Sequence, residues 1–120
     1  MRVPAGSLEP LVEVLRIADC PHADAAELLV AAVACRLEVD VELRRTVVET
    51  PRAAARLRFL GSPTIRVDGF DVEPGASMRC DYAFGCRLYR TASGAAGLPA
   101  AEWIGAAIAA AAGSRRRAGV

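Results

Sequence analysis

The sequence predicts an α/β fold built on a mixed four-stranded sheet with helices on both faces, in the order βαβαββα. Three observations predict it. A helical stretch separates the first two strand-like segments, which calls for a parallel pair joined by a right-handed crossover. Asp68-Gly69 lies between Thr64-Ile65-Arg66-Val67 and Phe70-Asp71-Val72, a strong hairpin signal that adds antiparallel strands. Beyond Pro99, Trp103, Ile104, Ala107 and Ile108 recur at spacings that share one face of a closing helix.

The elements follow in order. Leu11 to Ile17 is an apolar run of strand length, ended by Ala18-Asp19-Cys20-Pro21, whose proline suits a first helical turn. His22 to Leu37 reads as helix, with Asp24 and Glu27 at its positive end and Arg36 in its last turn. The stretch Leu28 to Cys35 is apolar all round, so it is expected to be largely buried, Cys35 included. Val39, Val41 and Leu43 alternate with Asp40, Glu42 and Arg44, as in a strand with one wet face near a sheet edge. Thr50-Pro51 is an N-cap followed by a proline at the first helical position, which starts a short helix over 52–59 that ends near Gly61. Glu73 to Gly85 is rich in turn formers, and Cys86 to Arg90 is either a further extended piece or a continuation of the fourth strand.

Composition bounds the function. The chain has 120 residues, 53% of them hydrophobic and 24% charged, with a net charge of +1, which suits one globular domain with a single core rather than a disordered protein. The expected limits are a domain over 1–113 and a flexible basic tail over 114–120. All 15 basic residues are arginine, yet only Arg115-Arg116-Arg117 cluster, so nucleic acid is not an expected partner. The first ten residues carry no apolar leader core and no window is long enough to span a bilayer, so no membrane partner is expected and a cytoplasmic location is. In that compartment four cysteines are thiols rather than a disulfide framework.

Cys20 is the candidate reactive group. It stands where the first strand hands over to the first helix, and unpaired backbone N–H groups at a helix start favour an anion such as a thiolate. His22, two residues on, can add a positive charge or a hydrogen bond to that thiolate. The position three residues beyond Cys20 is Ala23, so a local two-cysteine disulfide cannot form. One-thiol chemistry remains: mixed disulfides with glutathione or a protein thiol, sulfenic acid formation, or capture of a soft metal. Cys35 is fifteen residues along the same helix, about 22 Å away at 1.5 Å per residue and beyond disulfide reach. Cys80 and Cys86 are the candidate second thiols, and their spacing does not choose between them. A metal site drawing on Cys20, Cys80 and Cys86, with or without His22, lacks the usual Cys-x2-4-Cys spacing of zinc sites. No resident cofactor is expected.

Strand, Cys20-Pro21-His22 turn, helix and the Ser62-Pro63-Thr64 entry to a hairpin resemble the thioredoxin-like fold superfamily over roughly residues 10 to 112. The resemblance implies a cis bond at Pro63 beside the active-site cysteine, and a Ser62 backbone that holds an extended substrate. Members of the disulfide-oxidising type carry Cys-Pro-His-Cys where this chain has Cys-Pro-His-Ala. With the Cys86-Arg87-Leu88-Tyr89-Arg90-Thr91 segment added, the chain also resembles small bacterial thioredoxin-like proteins often labelled alkylmercury lyase. That likeness implies two cysteines holding Hg(II) or an organomercurial, Cys20 with Cys80 or Cys86, and a nearby carboxyl, Asp24, handling the proton, with Asp19 as a spare. Asp24 reads more readily as an ordinary charge at a helix N-terminus than as that acid. The functional expectation is therefore thiol redox or soft-metal chemistry centred on Cys20, with a non-catalytic binding module of the same fold as the alternative.

Overall fold

A computed structural model describes residues 9–118. The chain runs β1 (Leu11–Arg16), α1 (Ala23–Leu37), β2 (Glu42–Val47), α2 (Pro51–Arg56), β3 (Thr64–Val67), β4 (Phe70–Asp71), a single 3-10 turn (Ala76–Met78), β5 (Tyr89–Thr91), β6 (Gly94–Ala96) and α3 (Ala101–Ala118). The main sheet has the order β2-β1-β3-β4. β1 pairs parallel with β2 from Leu11↔Glu42 to Arg16↔Val47, and antiparallel with β3 from Val12↔Val67 to Leu15↔Thr64. β3 and β4 are antiparallel, and the turn between them has Asp68 at φ 51° and Gly69 at φ 90°, the double left-handed geometry that an Asp-Gly hairpin requires. The mixed four-stranded α/β sheet is thus as expected.

Helices do cover both faces, because β1 is central and alternates its side chains between two cores. Val12 and Val14, both 0% exposed, join Ile65, Val30, Val33, Ile104 and Ile108 under α1 and α3. Leu15 points the other way, into a smaller cluster with Val48, Ala54 and Phe59 beneath α2. Each such fully buried aliphatic side chain contributes roughly 1.5–3 kcal/mol through water exclusion. α2 starts as the sequence indicates: Thr50 is the N-cap, its hydroxyl accepts the Ala53 N–H at 3.0 Å, and Pro51 opens the helix.

Several expectations need correction. α1 begins at Ala23 with His22 as N-cap, so Pro21 precedes the helix instead of lying in its first turn. The helix is not buried all round: Ala23, Ala26, Val30, Val33 and Ala34 form its buried stripe, while Leu28 is 72% exposed. Only the side facing the sheet and α3 has a partner. Cys35 falls off that stripe and is exposed, not part of the core. The second strand lies at Glu42–Val47, three residues later than its alternation suggests, because Val39 closes the end of α1 through its N–H to the Ala34 carbonyl, 3.0 Å, before pairing begins. The helix expected over 52–59 is shorter, giving way at Leu57. β5 is not an extension of the fourth strand; it forms a separate two-stranded sheet with β6. Finally, residues 114–118, expected as tail, continue α3, and Arg115 pairs with Asp68. Residues 1–8 and 119–120 of the expected limits lie outside the described residues.

Candidate functional site

The C-terminal end of β1 and the N-terminal end of β3 meet at Leu15↔Thr64, so the loops beyond them are brought together. Ile17 continues past β1 and donates its N–H to the Ser62 hydroxyl at 3.1 Å, while its carbonyl accepts the Cys20 N–H at 3.3 Å. The Cys20 turn is therefore tied to Ser62, and Ser62–Pro63 is a cis peptide bond. Cys20 is 7% exposed and Ser62 1% exposed. Since His22 is the N-cap, Cys20 stands two residues ahead of it, at the margin of the first-turn region where the helix macrodipole acts.

His22 does not cap α1 with its side chain. Its imidazole lies instead against the β6–α3 connection, so close to Gly97 that a methyl there would meet the ring's Cδ2 and Nε2 at 2.6 Å. A glycine is what that approach permits. Asp24 has a side chain 93% exposed and an ion pair to Arg16 at 3.4 Å, the arrangement of a surface charge at a helix start. Arg16 also donates to the carbonyls of Ile17 and Ala18, at 3.1 and 2.8 Å, so it braces the loop leading to Cys20.

The segment after the hairpin supplies what the sequence could not place. Ala83 donates to the Phe59 carbonyl at 2.9 Å, Ser62 N–H donates to the Gly85 carbonyl at 2.8 Å, and Arg87 N–H donates to the Ser62 carbonyl at 3.0 Å. Ser62 and Cys86 are thereby partners in an isolated parallel bridge. The Ser62 main-chain groups that the resemblance assigns to an extended substrate are thus engaged by the chain's own residues. Cys86 is exposed at this point, and Cys80, also exposed, belongs to a different stretch, between Arg79 and Asp81, which pair with each other at 2.7 Å. That bond raises the Arg79 pKa and lowers that of Asp81. Among the described residues no three His, Cys, Asp or Glu side chains converge as metal ligands, so the Cys20, Cys80, Cys86 set with or without His22 does not form one.

Arg87 anchors this segment, and sequence reasoning missed it. Its side chain is 1% exposed, clasping Asp71 at 2.7 and 3.1 Å, Glu73 at 2.7 Å and the Thr64 hydroxyl at 2.9 Å. The guanidinium also lies 4.3 Å from the Tyr89 ring centroid. Burial works against its charge, but the Asp71 hydrogen bond, the Tyr89 and Asp71 fields and the Glu73 bond outweigh it, and the net pKa is raised. Tyr89 is 0% exposed and donates its hydroxyl to the Pro63 carbonyl; burial pushes its pKa well above the usual phenol value, with Arg87 pulling the other way. Gly61, at φ 118°, passes directly under Arg87, where a methyl would sit 2.8 Å from the Arg87 Cβ. Arg87 and Tyr89 are buried while Cys86, Leu88 and Arg90 face out, the reverse of what polarity indicates for Arg87 and Leu88, so no local signal marks Arg87. A cleft of about 400 Å³ adjoins this cluster, lined by Arg66, Asp71, Glu73, Arg79 and Tyr82 among others, and no cysteine lines it.

Together these features define an α/β protein with a shielded thiol at a strand-to-helix turn, held to a cis-proline loop. No family model, no curated protein and no solved structure matches the chain. Among the described residues, no helix is long and apolar enough to cross a membrane.

Proposed function

We propose that this chain is a thiol-dependent protein of thioredoxin-like architecture whose reacting centre is Cys20. The observation that supports it is the hydrogen-bonded tie from the Cys20 turn through Ile17 to Ser62, the residue that precedes the cis Pro63, which holds the turn carrying the thiol in one frame with the cis-proline loop. A cysteine serving only as core filler needs no such frame. The chemistry is thiol–disulfide exchange, with glutathione or a protein thiol as partner, and the same sulfur suits a soft metal such as mercury. The lyase form of the soft-metal reading is the weaker one, since its carboxyl, Asp24, is turned to solvent and paired with Arg16.

A second reading has an observation of its own. Cys20 is 7% exposed and the Ser62 main chain is already occupied, which favours a binding module whose thiol does no chemistry. Substoichiometric diamide followed by differential alkylation and peptide mapping separates the two. If Cys20 is consumed before exposed Cys35, the site activates it against its exposure; if Cys35 is consumed and Cys20 survives, accessibility alone governs and the module stands.

A further inference from the structure

We infer that Cys20 and Cys86 form a redox couple, with the Gly85–Arg87 segment docked on Ser62 as a built-in partner strand and Cys86 as the thiol that first meets the outside disulfide. The inference rests on the thiol reading above and deepens it. Neighbouring strands lie about 4.8 Å apart, so the Ser62↔Cys86 bridge sets the Cys86 backbone one strand spacing from the residue that holds the Cys20 turn. No such tie is seen at Cys80 among the described residues; its neighbours Arg79 and Asp81 pair with each other, and Arg79 also pairs with Glu73. The Cys86 bridge is not an incidental contact either. Hydrogen bonds flank it on both sides, the Arg87 guanidinium locks it from within, and Gly61 lacks the side chain that would push it away.

Exposure divides the roles. Cys86 faces solvent and Cys20 is 7% exposed, so an incoming disulfide reaches Cys86 first. The Cys86 thiolate attacks a small or polypeptide disulfide RSSR′, forming Cys86–S–SR and releasing R′S⁻, which takes up a proton. The Cys20 thiolate then attacks the Cys86 sulfur, RS⁻ leaves and is protonated, and a Cys20–Cys86 disulfide remains. The two protein thiols lose two protons and two electrons in all, and RSSR′ gains both as two thiols. A dithiol reductant reverses the sequence. Closure requires the two Cα atoms within about 7 Å, so a Cys20–Cys86 disulfide in the product is itself the measure of their approach.

The test uses oxidised glutathione as the disulfide, with acid quenching, alkylation and non-reducing peptide mapping. In the full wild-type chain the expected product is a Cys20–Cys86 cross-linked peptide. In a Cys35→Ser/Cys80→Ser background, adding Cys20→Ser should trap glutathione on Cys86, while adding Cys86→Ser should leave Cys20 modified at least tenfold more slowly than Cys86 is in the trap. The wild-type map needs no variant to fold, and circular dichroism checks those that are made. A Cys20–Cys80 link, or a glutathione adduct on Cys20 with Cys86 free, overturns the couple while leaving Cys20 as a reacting thiol. A stable adduct on Cys86 with Cys20 unmodified overturns both.

Discussion

Replacing Arg87 by Met is the most informative perturbation of the fold. The side chain has 1% exposure and is held by two contacts to Asp71, one to Glu73 and one to Thr64. Methionine fills much of the same volume but leaves two carboxylates facing an apolar group. Stranding a buried partner in this way costs about 3–5 kcal/mol. The lower end applies because Asp71 and Glu73 retain 12% and 19% exposure, Asp71 still accepts the Glu73 N–H at 2.9 Å, and Glu73 keeps Arg79 at 3.3 Å. The expected loss is therefore about 3 kcal/mol, a large share of the roughly 5–15 kcal/mol that holds a domain together. With a urea slope near 1.5 kcal/mol per molar, the unfolding midpoint should fall by about 2 M at unchanged slope. Adding Asp71→Asn removes one stranded charge and should return about 1–2 kcal/mol, so the double-mutant cycle is strongly non-additive. A loss below about 1 kcal/mol, or strict additivity of the pair, would show that water already solvates the cluster and that the charge argument fails.

Two further outcomes follow from the same region. Gly61→Ala combines a φ of 118° with a 2.8 Å approach to the Arg87 Cβ, whereas Gly69→Ala shares a positive φ of 90° but meets nothing within 4 Å. Thermal unfolding should show Gly61→Ala losing at least about 2 kcal/mol and Gly69→Ala only about 1 kcal/mol; equal losses would mean that backbone strain alone, not the contact with Arg87, sets the cost. Tyr89 has a folded pKa raised by burial, so its contribution is fully present below the unfolded value near 10 and is lost as pH rises through the folded one. Denaturation at stepped pH should show wild-type stability falling above about pH 10, with a shallower fall in Tyr89→Phe, which at neutral pH is about 1–2 kcal/mol less stable because the Pro63 carbonyl loses its donor.

The legible parts of this chain were those governed by local rules. The Thr50-Pro51 start of α2 and the Asp68-Gly69 turn depend on one or two residues' own geometry, and both are present. Helix faces were harder, because alanine marks neither inside nor outside: in α1, Ala26 and Ala34 are buried while Ala25 and Ala32 are exposed. Cys35 was misplaced for that reason, since uniform apolarity hides which stripe meets α3. Cys86 was harder still. Local bonds shape only the first part of the 73–88 segment, through the 3-10 turn and the Arg79–Asp81 pair; the path beyond is set by Ala83, Gly85 and Arg87 bonding to residues 59–62, more than twenty positions away in sequence. Polarity misled as well, for Arg87 is buried while Leu88 is 60% exposed.

That inversion has a physical reason that joins stability to the site. The guanidinium can be buried because Asp71 and Glu73, two apart around the end of β4, turn toward it, and Thr64 at the start of β3 accepts a further bond, so that its two terminal nitrogens are satisfied while its Nε is left without a partner. The same residue's N–H bonds the Ser62 carbonyl. One side chain thus fastens the sheet edge while its own backbone closes the loop that carries Ser62–Pro63. Tyr89, next inward on the same segment, bonds the Pro63 carbonyl and lies 6.4 Å centroid to centroid from Trp103 on α3. The loop beside Cys20 is therefore gripped by residues 87 and 89 from one side and by Ile17 from the other. Disturbing Arg87 should loosen both partners of the thiol site together, so stability and thiol reactivity are expected to change in parallel across an Arg87, Asp71 and Glu73 variant series, whereas variants on the exposed face of α1, such as Leu28, should leave the thiol chemistry as it was.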